Sequence, residues 1–374
     1  MDFGISEEQV AIRDLAAQIL SEQLPAEKLR EIETQDPNWF AGDVWAELAK
    51  ADLLGLCLPE ADGGGGYGLF ELALMLEQVG RNLAPLPVLA TIVMGALPIA
   101  EFGTDTQRSE LLAKVIDGSL ILTAALSEGL VGLPPAVPAT VAQRSGDGWA
   151  ITGRKELVPS GHIAAKMLVP ARTADGASTV FIVDTSLAGI TAERNVAMNG
   201  EPLTTFTFDG VQVGDDAVLG ELHDGSTVTN WILERALVGL CATQAGVCEA
   251  ALRITAKYAS DRKQFDTPIA TFQAVAHRCA DSYIDTEAIR LTTHQAAWRL
   301  DAGLDASEEI AIAKFWAYEG ADRIVHAAQH LHGGIGVDLD YPIHRTFRWA
   351  KHVGLSLGGG TVHLRRLGAL LGAS

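Results

Sequence analysis

YASDRKQFDTPIATFQA, from Tyr258 to Ala274, sets a cationic Arg262, an aromatic Phe265 and an amide Gln273 in a short connection between two segments of helical periodicity. Those three side chains suit a long anionic ligand. A guanidinium answers a pyrophosphate with a fork of donors, an aromatic ring offers apolar or stacking surface, and a carboxamide both donates and accepts at a polar edge. Downstream, His330-Leu331-His332-Gly333-Gly334-Ile335-Gly336 puts a glycine pair where the apolar stripe Ala317, Ala321, Ile324, Ala328, Leu331 runs out. A helix is expected to stop there.

Working outward, 374 residues are enough for two or three structural units and a large core. With 28 Lys and Arg against 47 Asp and Glu, the net charge of -19 argues against general attraction to nucleic acid or to an anionic membrane surface. An anionic ligand must therefore find a local cationic pocket. Cys57, Cys241, Cys248 and Cys279 form no CxxC pair and show no His spacing that suggests zinc, so no metal site is expected. Cys241, Cys248 and Cys279 lie in apolar helical patterns and read as buried free thiols. The acidic opening Met1 to Glu8, with Ser6 and Gln9 as a capping box, introduces an ordinary helix rather than a signal peptide. The run Val88 to Ala100 is broken by Pro98 and falls short of the roughly 20 residues a bilayer requires. The expectation is a soluble, cytoplasmic protein.

Residues 1 to about 118 read as helices, with Asp62-Gly63-Gly64-Gly65-Gly66-Tyr67-Gly68 as a flexible loop. No strand and no GK[ST] accompany that glycine run, so a loop joining two helices is expected in preference to a phosphate cradle. From about 119 to 222 the pattern changes to short segments rich in Val, Ile, Thr and Phe. Ser145-Gly146-Asp147-Gly148 is a hairpin signal, and Thr204 to Phe208 alternates like a half-buried strand. A small β-barrel or sandwich is expected there. Beyond 223 helix periodicity returns, with Phe272, Val275, Ala276, Cys279 and Tyr283 on one face, and about four long helices imply an antiparallel bundle through 374.

The Arg, Phe and Gln of the opening stretch resemble the "YAxxRxxFGxxIxxFQAV" signature of the acyl-CoA dehydrogenase family, and the Gly333-Gly334 pair resembles a second family motif. The likeness runs from Pro59-Glu60 and Gly63 to Gly68, through the hairpin near Trp149, to the C-terminus. It implies an α+β multidomain fold: an N-terminal helical domain, a middle β domain and a C-terminal four-helix bundle. It also implies that Arg262, Phe265 and Gln273, with His330, Gly333 and Gly334, bind the adenine dinucleotide half of an FAD belonging to the neighbouring subunit. Asp266 replaces the family's Gly after Phe265, and His330 replaces its Gln. His330 can still donate to a ligand oxygen, or serve as a structural histidine at a helix end.

In this family a thioester lies between the flavin ring and a Glu whose carboxylate takes the α-proton while a hydride leaves the β-carbon for the flavin. Most members carry that Glu near the C-terminus in "YEGT". Here the stretch is Leu357-Gly358-Gly359-Gly360-Thr361, and no Asp or Glu follows Asp340. A minority carries the base in "LER" on the first bundle helix, which Leu233-Glu234-Arg235 matches in letters. Counting from Gly246 and Tyr258, however, puts Ala236 at the base position. Two residues turn a helix by about 200°, so Glu234 needs a bulge or a shifted helix start to act; otherwise it is a surface carboxylate beside Arg235. The family's "TEPxAGSD" survives only as Ser127-Glu128, and "K-x-W-I-T-N" becomes Lys155-Glu156-Leu157-Val158-Pro159-Ser160, without the indole or the hydroxyl.

The chain as a whole resembles the catalytically degenerate partner in the unequal pairs of actinobacterial acyl-CoA dehydrogenases. There two homologous chains build a tetramer, one chain carries the base, and several act on steroid side-chain CoA thioesters. The implied partners are an acyl-CoA thioester, a homologous subunit and an electron-transfer flavoprotein as acceptor. Two alternatives stay open: a self-sufficient homotetramer using Glu234, and a flavin-free assembly or binding subunit.

Overall fold

The computed structural model describes residues 4–129, 133–174 and 176–373; Met1 to Phe3 of the acidic opening lie outside them. In chain order the helices of the first third are α1 (Glu7–Gln23), α2 (Ala26–Gln35), α3 (Gly42–Lys50), α4 (Leu69–Arg81), α5 (Leu97–Phe102) and α6 (Asp105–Ile116). Eight strands follow: β1 (Leu122–Ala124), β2 (Val141–Ser145), β3 (Gly148–Pro159), β4 (Lys166–Ala174), β5 (Ala177–Asp184), β6 (Ile190–Val196), β7 (Pro202–Gly214) and β8 (Val218–Leu219). The last third holds α7 (Gly225–Asp261), a hairpin of β9 (Lys263–Gln264) and β10 (Thr267–Pro268), then α8 (Gln273–Asp301), α9 (Ser307–His332), α10 (Ile343–Leu355) and α11 (Gly360–Ala373). Helical, β-sheet and helical domains thus succeed one another as the sequence leads one to expect.

Local chemistry explains the boundaries. Ser6 caps α1 by accepting from Gln9 N at 3.2 Å while Gln9 Oε1 accepts from Ser6 N at 2.8 Å. Pro98, by contrast, does not break its apolar run. The eight residues Leu89–Ala96 wind as a π-helix directly before α5, and Pro98 falls in the first turn of α5, where a missing N–H is tolerated. The glycine run is not flexible either. The N–H groups of Gly63, Gly64, Gly65, Gly66 and Tyr67 donate to the carbonyls of Glu60, Pro59, Gly55, Leu58 and Leu56, a pinned turn that spends its donors internally.

The chain packs into two compact units. One comprises residues 32–68 and 85–236 and holds the sheet, ordered β6-β7-β3-β2-β4-β5-β8 with β1 parallel to β4. Its core gathers Trp149, Ile151, Met167, Phe181, Phe206 and Phe208. Ser145 and Gly148 pair across the expected hairpin, with Gly146 at φ 61° in its two-residue loop.

The other unit comprises residues 1–31, 69–84 and 237–374. In place of four long helices it draws on three, α7, α8 and α9, with the shorter α10 and α11 packed on α9. α7 is long and apolar enough to cross a membrane, but 72% of its apolar window is buried, which marks a core helix. Cys241 and Cys248 are buried on it, and burial pushes the Cys241 thiol up to about 12; Cys279 is only half-buried. The α8 stripe faces outward rather than into the chain's own core, with Phe272 39% and Tyr283 58% exposed.

Candidate functional site

Arg262 follows the last turn of α7, where its N–H donates to Tyr258 O at 2.8 Å and its carbonyl accepts from Ile269 N at 2.8 Å. That second bond closes the base of the β9–β10 hairpin. At the tip, Phe265 and Asp266 have φ of 51° and 63°. A two-residue hairpin loop in a type I′ turn requires left-handed backbone at both positions, and Asp is among the residues that tolerate it. Asp266 therefore meets the conformational demand that a glycine meets more easily. Phe265 is 89% exposed, and its ring stands edge-on to that of Phe272, 6.4 Å between centroids. Arg262 and Gln273, the first residue of α8, are exposed as well. Three side chains within a span of twelve residues are thereby presented on one projecting connection.

The second motif ends α9. Gly333 stands at φ 63°, ψ −138°, a conformation that favours glycine, and added Cβ atoms at Gly333 and Gly334 would meet nothing within 4 Å. The space beside this backbone is open. His332 is buried, with Nδ1 donating to Ala328 O at 2.8 Å, and burial holds its imidazole below the usual range. It stacks on Tyr258 at 4.3 Å and lies 5.2 Å from Tyr341. His332 is thus a structural link: Tyr258, at the head of the first motif, packs on the residue before the glycine pair of the second. Sequence reasoning missed this stack, although an aromatic residue at the edge of each motif was its signal. His330 is exposed, and its Nδ1 lies 2.8 Å from Arg278 Nη1 on α8.

The positions where the family keeps its base look different. α7 is α-helical without interruption from Gly225 to Asp261, so Glu234 and Ala236 keep their separation of about 200°. Ala236 is buried and Glu234 half-buried; α7 contains no bulge to bring Glu234 into register. Near the C-terminus, Leu357 and Gly358 turn with φ of 52° and 95°, and His363 Nε2 donates to Leu357 O at 2.9 Å. The Tyr318 ring lies against this turn so closely that a Cβ on Gly360 would sit 2.7 Å from Tyr318 Cδ1. Beneath it, the buried Lys314 donates to Val353 O at 2.9 Å and Gly354 O at 3.0 Å at the end of α10. Burial lowers its ammonium to about 8.

In the β unit the two remnants of the ring-binding motifs are bound to each other. Glu156 N donates to Ser127 O at 2.8 Å, and Lys155, fully buried, meets Glu128 at 2.6 Å. Glu128 also accepts from the backbone N–H groups of Ala139 and Thr140. Burial works to raise its carboxyl, but Lys155 and Thr140 override this and hold it below the usual range, while burial pushes the Lys155 ammonium down. Leu157 sits at φ 54° in an irregularity of the β3–β7 pairing, and Pro159 O is taken by Thr123 Oγ1 at 2.7 Å. No indole or hydroxyl stands at either position.

The three domains, the projecting Arg-Phe-Gln connection and the open glycine pair agree with what the chain is similar to. Models for the acyl-CoA dehydrogenase N-terminal, middle and C-terminal domains match residues 6–119, 123–211 and 223–371. The chain belongs to the acyl-CoA dehydrogenase family, oxidoreductases acting on CH–CH bonds, whose members bind FAD. It is 35% identical to acyl-CoA dehydrogenase FadE27 of Mycobacterium tuberculosis, over 98% of each chain. Among solved structures it resembles a Tcur3481–Tcur3483 steroid ACAD variant, with 43% identity, TM-score 0.91 and 98% of each chain covered. It also resembles the ChsE4–ChsE5 complex of M. tuberculosis, with 34% identity, TM-score 0.93 and complete coverage of both chains.

Proposed function

We propose that this chain is the base-lacking subunit of a heteromeric acyl-CoA dehydrogenase, presenting Arg262, Phe265, Gln273, His330 and the Gly333-Gly334 backbone to an FAD seated in a homologous partner. One contrast carries the reading: a nearly fully exposed Phe265 beside an exposed Arg262, in a chain whose C-terminal turn has glycines where the family has its carboxylate. The residues fit the nucleotide half of the cofactor. Arg262 would hold the pyrophosphate, Phe265 would cover an apolar face, and the open side of Gly333 and Gly334 admits a ligand against the backbone. When bound, FAD supplies the hydride acceptor. The proton is taken by a carboxylate of the partner, since Glu234 is turned away from the register it would need.

The substrate class that goes with this reading is an acyl-CoA thioester, a steroid side-chain thioester in particular, because two of the similar solved structures are a steroid ACAD and a two-component complex. An electron-transfer flavoprotein as acceptor and a cytoplasmic setting complete it. Co-expression with a homologous chain that has an intact base, followed by gel filtration, mass spectrometry and flavin quantification, tests it. The expected result is a mixed tetramer with about half as many flavins as chains, stabilised because FAD binds only the assembled form. A stable homotetramer holding one flavin per chain sinks the proposal in favour of a self-sufficient enzyme. Colourless mixed assemblies sink it in favour of a flavin-free subunit.

A further inference from the structure

Between α8 and α9 runs a groove of about 680 Å³ lined by Arg278, Asp281, Asp285, Arg323, His326 and His330 among others. Its two arginines are used differently. Arg323 is committed to Asp285 through two hydrogen bonds of 2.8 and 2.7 Å, a bidentate pair within the groove wall. Arg278 instead reaches across from α8 to α9, and its Nη1 meets His330 Nδ1 at 2.8 Å. Because a guanidinium only donates, Nδ1 must be the accepting, unprotonated nitrogen, and the ring proton is therefore on Nε2. The contact fixes both the ring's orientation and its tautomer.

Resting on the reading above, we propose that Arg278 is a positioning residue that locks His330 as an Nε2–H donor toward the phosphate and ribose half of the partner's FAD. The pair would then do together what a carboxamide does alone, accepting on one side and donating on the other. A neutral imidazole left to itself divides its proton between two nitrogens and turns its ring. Arg278 removes both freedoms from a side chain that is otherwise exposed. The remaining donors of Arg278 keep a positive charge beside the same ligand, in a chain whose overall charge of -19 repels it.

The test is a double-mutant cycle on the full chain co-expressed with its homologous partner, deflavinated and titrated with FAD and with ADP as the probe of the nucleotide half. Arg278→Met and His330→Ala should each weaken both ligands by about threefold to tenfold, as loss of one hydrogen bond does. Their combination should weaken binding no further than His330→Ala alone. His330→Gln, which can still accept from Arg278 and donate outward, should bind nearly as wild type. Wild-type affinity in Arg278→Met, or fully additive losses in the double variant, overturns the positioning role. Arg262→Ala run in parallel separates the two levels. If it loses FAD while Arg278→Met does not, only this inference fails; if Arg262→Ala binds FAD as wild type, or no FAD-binding assembly forms, the subunit reading fails and takes the inference with it.

Discussion

Two regions of the helical unit treat their polar and apolar groups in opposite ways. In the β9–β10 hairpin Phe265 is 89% exposed, and Arg262 and Gln273 face outward with it. In the turn from Leu357 to Thr361 the Leu357 carbonyl is taken by a fully buried His363, and Tyr318 lies against Gly359 and Gly360. The Glu128–Lys155 pair of the β unit behaves like the turn, since its charges answer each other and nearby backbone. An aromatic ring held out in water brings no burial energy to its own fold, so the hairpin makes sense through what it meets. The turn is complete in itself.

Breaking an inward contact should therefore register as lost stability, and breaking an outward one as lost ligand. Lys155→Met strands the Glu128 carboxylate without its counter-charge and should lower unfolding stability by about 3 to 5 kcal/mol in urea titration. A change under about 1 kcal/mol would mean that the pair is no tighter than a surface bridge. Arg262→Ala should reduce flavin per chain at least tenfold while leaving the urea midpoint of the flavin-free chain in place, since a charged bidentate contact is worth about 1.5 to 3 kcal/mol. Retained flavin would erase the contrast.

His363 gives the turn a pH signature. Burial, the first cause, holds its imidazole at about 4 in the folded chain, against a carbonyl contact from Leu357 that works upward. In the unfolded chain it titrates near about 6.5. Between those values the unfolded chain binds the additional proton, so stability falls as pH drops from 6.5 toward 4, by about 1.4 kcal/mol per unit. Urea midpoints at pH 7 and pH 5 should show this loss, and His363→Gln should flatten it. The smallest effect belongs to Glu234→Gln, which should leave acyl-CoA turnover of the mixed assembly within a few-fold of normal. A drop on the order of 10² would make Glu234 the base and the chain a self-sufficient enzyme.

The order of helical, β and helical domains was legible in the sequence because it depends on local periodicity and on two motifs of fixed spacing. The Ser6 cap and the Ser145–Gly148 hairpin are local signals of the same kind. What escaped is paired at long range. Glu128 meets Lys155 across 27 positions and Arg278 meets His330 across 52, and no pattern within either segment announces its counterpart. Pro98 escaped for another reason: a proline ends an α-helical pattern, and only the π pitch of the preceding turns lets the chain continue. The outward face of α8 has the same periodicity as a core-facing one, so spacing alone could not assign its side.

The stack of Tyr258, His332 and Tyr341 bears on entropy. Both ends of the hairpin are fixed, one by α7 and the other by α8, its tip is a two-residue loop, and the stack ties its root to the glycine pair. A loop ordered only on contact surrenders about 1 to 2 kcal/mol for each residue it immobilises. This prong is already in shape before anything touches it, so the cost of ordering its backbone is not subtracted from its contact energy on binding. Loosening the root with Tyr258→Ala would convert the same side chains into a mobile arm, weakening binding without removing a single ligand-facing group.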